Sequence, residues 1–156
     1  MLNLSMTNKI ETNKIDRFDG AYRFLSNFWP SPWVELDGVA YHSVEHAYQA
    51  AKTLNLNDRK QFNDGTITAG AAKRIGQSLI IRPDWELVKV YTMTDLVEQK
   101  FQDEKLFGLL IETFPFDLIE GNNWHDDFWG DCKCEKHKDI PGLNNLGKIL
   151  MKIRDR

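Results

Sequence analysis

The sequence predicts an α+β fold: a mainly α-helical single domain with a small β-hairpin or sheet. Three features lead there. Asp37-Gly38 separates the runs Trp33–Leu36 and Val39–Tyr41, and an Asp-Gly pair between apolar residues is the strongest short hairpin signal, because both positions tolerate positive φ. Ser43 precedes a helix-forming run, where its hydroxyl can accept from an otherwise unpaired backbone N–H. Beyond Pro83, the apolar residues Leu87, Val88, Tyr91, Leu96, Val97 and Phe101 keep a helical period to about Gln102.

The remaining elements follow in order. Residues 1–14 are polar, rich in Asn, Thr and Lys, and lack the apolar core of a signal peptide, so they read as a loose tail before a domain over 15–156. A compact segment from Ile15 ends in Phe24-Leu25-Ser26-Asn27-Phe28, and Pro30-Ser31-Pro32 breaks the chain before the hairpin. Short helices are expected around Asp58–Asp64 and Thr68–Ser78. Pro83-Asp84-Trp85-Glu86 opens the long helix, since proline and two acids suit the positive end of a helix dipole. A further helix over Glu104–Thr113 stops near Pro115, and Leu118-Ile119-Glu120 is a short strand or extended turn. A polar loop from Gly121 to Pro141 precedes a last amphipathic helix over Leu146–Arg154.

A chain of 156 residues, 42% hydrophobic and 28% charged, suits one globular domain with a real core. The net charge of −3 argues against general nucleic-acid binding. It leaves room for a local basic pocket. No apolar run approaches the roughly 18 residues of a membrane span, so no membrane partner is expected. Cys132 and Cys134 are too close for an easy structural disulfide, which fits a reducing, cytoplasmic setting.

Ser43 to Lys52 carries the most chemistry. Glu45, Gln49 and Lys52 recur at helical spacing and share one face. They read either as a solvated stripe or as a carboxylic acid, an amide and an amine facing a substrate. The loop Asn122 to Asp131 sets Asp126 and Asp127 beside Trp124, Phe128 and Trp129, a pattern that serves a carboxylate stacked on a ring or an Asx-rich turn. Asn27 can read a base edge or a ribose hydroxyl. Lys73 and Arg74 can grip a phosphate or simply solubilise their helix. Gly142-Leu143-Asn144-Asn145 precedes a helix N-terminus, which suits anions and cap geometry equally.

Metal and cofactor signals are thin. Cys132-Lys133-Cys134 with His137 and His125 offers two thiolates and two imidazoles, but Cys-x-Cys is tighter than the usual zinc spacing and no second cysteine pair exists. These residues therefore read as exposed loop side chains and no metal is assigned. Dinucleotide, Walker, zincin and hydrolase-elbow motifs are absent from the sequence.

Taken in order, six blocks resemble the NADAR family. They are Phe24-Leu25-Ser26-Asn27-Phe28; Asp37-Gly38 with Ser43-x-Glu45-His46-x-x-Gln49-Ala50-x-Lys52; Arg82-Pro83-Asp84-Trp85; Asp126-Asp127-Phe128-Trp129-Gly130; Asn144-Asn145-Leu146-Gly147; and Leu150-Met151-x-x-Arg154. The resemblance implies an N-glycosidase that cleaves ribosylated-heterocycle 5′-phosphates, early riboflavin-pathway intermediates such as 5-amino-6-(5-phosphoribosylamino)uracil, without a cofactor. It also implies an alternative, removal of ADP-ribose from guanine in DNA or RNA; a non-catalytic sensor of ADP-ribose-type ligands is the third reading. Catalytic positions carried over are Glu45 and Asp126, with Lys52 as a further candidate. Trp85 would stack on the heterocycle, with Asn27, Gln49, Trp129, Lys73 and Arg74 around the substrate. Asp127 beside Asp126 leaves that position open by one residue. Cys132–Asp139 departs from the Gly-rich loop of relatives. At the start of its helix, Glu45 meets a dipole that favours its charged form, which suits a base or electrostatic stabiliser unless burial overturns the effect. Lys52 could attack an open-chain sugar aldehyde or pair with a phosphate.

Overall fold

Helices dominate residues 13–156, the part of the chain that the computed structural model describes. The order is β1 (Lys14–Ile15), a 3-10 turn (Gly20–Leu25), β2 (Val34–Leu36), β3 (Val39–Tyr41), α1 (Val44–Ala51), α2 (Leu56–Lys60) and α3 (Ala69–Gly76). Then come α4 (Trp85–Lys100), α5 (Glu104–Glu112), β4 (Asp117–Leu118), β5 (Gly121–Asn122), β6 (Asp131–Cys132) and α6 (Asn145–Arg154). No helix among the described residues is long and apolar enough to cross a membrane.

The hairpin forms as its turn residues dictate. Asp37 and Gly38 both take positive φ, 50° and 80°, and β2 pairs antiparallel with β3 so that Val34 faces Tyr41. Arg59, buried on α2, donates to Asp37 at 2.6 Å and fastens the turn. The expected single small sheet is instead three separate two-stranded pairs. β1 pairs in parallel with β4, and β5 in parallel with β6. Two-residue strands leave no alternation to read, and parallel partners lie far apart in sequence. Lys14, placed in the tail by sequence, belongs to β1; the rest of that tail lies outside the described residues, except Asn13, whose carbonyl accepts from Asp117 N–H.

α1 is the centre of the molecule. Ser43 Oγ accepts from His46 N–H, and all eight residues of the helix are buried. A helix buried on every side is a core helix, not a surface stripe. It packs against α3 and α4. His46 is consumed structurally: its ring contacts Ser43 Oγ at 2.7 Å and the Ile67 carbonyl at 2.9 Å, which tethers the segment ahead of α3.

Gly76 permits the α1–α3 approach. A Cβ there would lie 1.8 Å from Gln49 Oε1. Gly76→Ala must therefore swing the Gln49 amide away from α3 and off its hydrogen bond to Glu45, at about 1–3 kcal/mol. Thermal denaturation should show the loss, and Gln49→Ala in the same background should restore most of it. Recovery of nothing would mean that the two residues do not collide.

A second tie runs through Lys100 at the end of α4. Its amine is buried and donates to the Ser26 carbonyl at 2.7 Å, and burial pushes its pKa down to about 7. The bond holds the Ser26–Phe28 segment against the helical core.

Candidate active site

A cavity of about 350 Å³ opens where α1, α3, the Ser26–Phe28 segment and the chain after β4 meet. That volume lies at the lower end of the range for small-molecule pockets. Each wall has a local cause. α1 presents Glu45, Tyr48, Gln49 and Lys52, which are three or four residues apart and so share a face. Asn27 enters because its carbonyl accepts from Glu45 N–H at 3.1 Å, joining the loop to the first turn of α1. Its side-chain amide rests on Met93 Sδ of α4 at 3.4 Å.

The third wall comes from residues 120–129. Asn122 shapes it: its Oδ1 accepts from Trp124 and Asp126 N–H, and its Nδ2 donates to the Asp126 carbonyl. Asp126 Oδ1 accepts from Phe128 and Trp129 N–H at 3.1 and 2.8 Å, an Asx-type turn that fixes the carboxylate at the rim. Trp129 donates through Nε1 to Tyr48 Oη at 3.1 Å, and their rings meet edge-on at 5.6 Å. Phe28, Trp124, Trp129 and Tyr48 supply flat apolar surface.

Electrostatics inside the cavity are unusual. Glu45 is fully desolvated, and burial raises its pKa; the Gln49 amide, donating to Oε1 at 2.7 Å, and the Lys73 and Lys52 ammonium groups oppose the rise. Burial thus works against the helix-dipole preference expected from sequence, while Gln49 and the two ammonium groups reinforce it. Glu120 goes further. Its Oε2 is wholly buried with no hydrogen-bond partner among the described residues, and burial, reinforced by Asp126 and Glu45, pushes its pKa up to about 8. Lys52 moves the other way: desolvation lowers its pKa, opposed by Glu45. Its Nζ lies 5.5 Å from the Tyr48 ring centre, and Lys73 Nζ lies 4.8 Å from that of Trp124.

Of the residues expected from sequence, Glu45, Asp126, Lys52, Asn27, Gln49, Trp129 and Lys73 all line this cavity. Two do not. Arg74 is exposed and outside the lining, because one residue along a helix turns the side chain about 100° away from Lys73. Trp85 is buried, its ring 5.1 Å from that of Tyr48, and is absent from the cavity wall. As the first residue of α4 it turns into the α1–α4 interface. It supports Tyr48 and does not offer a free face to a heterocycle. Of the adjacent pair, Asp126 lines the cavity and Asp127 does not: Asp127 Oδ1 accepts from Cys132 N–H at 2.8 Å.

Glu120, Tyr48 and Arg17 line the cavity without having been singled out from sequence. Glu120 read as the end of a short strand. The available signal was an acid directly before a glycine that closes on the chain: a Cβ on Gly121 would lie 2.0 Å from the Asp16 carbonyl. Asn144, on the loop read as anion-binding, serves main chain instead. Its Oδ1 accepts from Glu120 N–H at 3.0 Å and its Nδ2 donates to the Leu118 carbonyl at 2.9 Å.

Known proteins resemble this chain in sequence and fold. The NADAR domain model matches residues 15–156. The N-glycosidase YbiA of Escherichia coli is 34% identical over 140 residues, covering 86% of this chain and 81% of that protein. An N-glycosidase of Nostoc punctiforme is 33% identical over 139 residues, covering 86% and 85%. A riboflavin biosynthesis protein of Vibrio vulnificus is 33% identical over 140 residues, which are 88% of this chain and 36% of that longer protein. The solution NMR structure of Escherichia coli YbiA superposes with a TM-score of 0.73 at 32% identity, covering 94% of this chain and 86% of that one.

Proposed function

Since this chain belongs to the NADAR family, we propose that it is an N-glycosidase acting on ribosylamino-pyrimidine 5′-phosphates, releasing ribose 5-phosphate. One observation carries the reading. Four carboxyl groups, Asp19, Glu45, Glu120 and Asp126, and two amines, Lys52 and Lys73, converge on one aromatic-walled cavity. Cleaving a glycosidic C–N bond needs a proton for the leaving nitrogen and negative charge near the anomeric carbon. Relatives bearing N-glycosidase and riboflavin biosynthesis names support the reaction and the substrate class.

The environments divide the roles. Glu120 has no donor to stabilise a carboxylate on Oε2 and a pKa pushed up to about 8. At neutral pH it holds a proton and delivers it to the exocyclic nitrogen as the C1′–N bond breaks with its electron pair going to nitrogen. Glu45 receives the Gln49 amide and lies near two ammonium groups, so it is the better carboxylate of the buried pair. It stabilises the oxocarbenium-like carbon and takes a proton from the water that adds to C1′. Asp126 adds negative charge at the rim, the rings stack on the pyrimidine, and Lys73 with Arg17 meets the phosphate.

A covalent variant is favoured by one further observation, the burial that lowers the Lys52 pKa. A free Lys52 amine adds to C1′ of the ring-opened substrate, expels the pyrimidine amine after protonation by Glu120, and leaves a Schiff base that water hydrolyses. Borohydride added during turnover decides between the two courses. A reduced ribosyl adduct on Lys52, missing in Lys52→Ala, establishes the covalent one; intact protein establishes direct attack by water.

The cavity size and the net charge of −3 favour a metabolite over ADP-ribosylated nucleic acid. Incubation with 5-amino-6-(5-phosphoribosylamino)uracil should yield ribose 5-phosphate at a rate far above that from ADP-ribosylated DNA. The reverse preference, or no turnover of either, would overturn the proposal.

A further inference from the structure

The loop that carries Asp126 into the cavity also gathers four soft or borderline metal donors on its outer side. His125, Cys132, Cys134 and His137 bring one ligand atom each within 4.8 Å of every other. Cys134 Sγ lies 3.0 Å from His137 Nδ1 and 3.3 Å from His125 Nδ1, and the two Nδ1 atoms are 3.2 Å apart. Around a tetrahedral zinc with bonds of about 2.0–2.3 Å, ligand atoms stand roughly 3.3–3.8 Å from one another. The three separations among Cys134, His125 and His137 lie at or just below that figure, and Cys132 stands within 4.8 Å of each of them before any ion draws the set together. We infer that this chain binds a structural zinc ion through Cys132, Cys134, His125 and His137.

The backbone prepares the site. Cys132 is fully buried in β6, paired with Asn122 of β5, and its N–H donates to Asp127 Oδ1. Lys133 N–H donates to the Asn122 carbonyl at 2.7 Å, so two residues along an extended, fixed segment bring both cysteines to the same side. His137 and Lys138 N–H both donate to the Cys134 carbonyl, a turn that folds His137 back over Cys134. His125 has φ of 70°, a left-handed conformation uncommon outside glycine, and this conformation accompanies an imidazole aimed at the other three. The sequence offers all four residues as candidate ligands, but the tight Cys-x-Cys spacing gives no sign that His125 and His137 converge on the cysteines.

Two thiolates and two neutral imidazoles suit zinc above magnesium or calcium, which prefer oxygen. Four protein ligands close the coordination sphere, so the ion would be structural and not catalytic. The site's purpose follows from its position. His125 is flanked by Trp124 and Asp126, both cavity residues, so a bound ion would pin this wall of the cavity from behind.

The test needs no substrate, so its failure is separate from any failure of the N-glycosidase reading. Reduced full-length protein, incubated with zinc and then desalted, should retain about one zinc ion per chain by elemental analysis. Cobalt(II) in its place should give the intense visible bands of a tetrahedral ion and a thiolate charge-transfer band in the near ultraviolet. Cys134→Ser with His137→Ala should lose both the retention and the spectrum while keeping the wild-type circular dichroism. Absence of retained zinc in the wild type, a weak six-coordinate cobalt spectrum, or undiminished retention in the variant would each overturn the inference. Should the double variant misfold, the wild-type cobalt spectrum alone decides.

Discussion

Glu120→Gln should lower turnover at neutral pH by about 100- to 10,000-fold, the usual contribution of a positioned acid, and should erase the alkaline limb of the pH–rate profile. The wild-type limb is expected near pH 8, where the raised pKa of Glu120 lies. Glutamine matches the shape and can still donate, but it has no proton to give up to the leaving nitrogen. A limb that survives the substitution unchanged would remove Glu120 from the acid role. Stability offers an independent check with a definite sign. The folded pKa of about 8 exceeds the ordinary 4.5, so the native state holds this proton more tightly than the unfolded chain. That stabilisation is complete below the unfolded value and is lost as pH rises through about 8. Wild-type protein should therefore weaken across this window relative to Glu120→Gln when both are unfolded in denaturant.

Glu45→Gln is the second large effect: kcat should fall by about 100- to 10,000-fold with KM changed much less. The new amide can still accept from Gln49 Nε2, so the α1 face keeps its geometry. What disappears is negative charge beside the anomeric carbon and a base for water. Its native pKa is also raised by burial, so removing the carboxyl should leave the melting temperature equal to or above that of wild type at alkaline pH. A variant that melts as wild type does and turns over as fast would remove Glu45 from the chemistry.

The legible parts of the fold were those with local causes. Asp37-Gly38 forms the hairpin turn, Ser43 caps α1, and Pro83 stands just ahead of α4, as their backbone preferences require. The family itself was legible from six ordered blocks, and the match over residues 15–156 shows it. Contacts made across distance were not legible. β1–β4 and β5–β6 are pairs of two-residue strands whose partners no periodicity can indicate. Helical spacing put Glu45, Gln49 and Lys52 on one face but left that face's exposure open; only the packing of α3 and α4 around α1 shows that it is interior. Trp85 and Arg74 lie off the cavity wall for the same reason. A motif says which residues are near in sequence, not which way a helix is rotated in the core.

Asn144 makes no contact with the cavity, yet it grips the backbone on both sides of Ile119 and so aims Glu120 from the far end of the chain. In a survey of tolerated substitutions, this asparagine would score as strictly required and invite interpretation as a ligand contact. Its intolerance would instead report the aim of a carboxyl group 24 residues upstream.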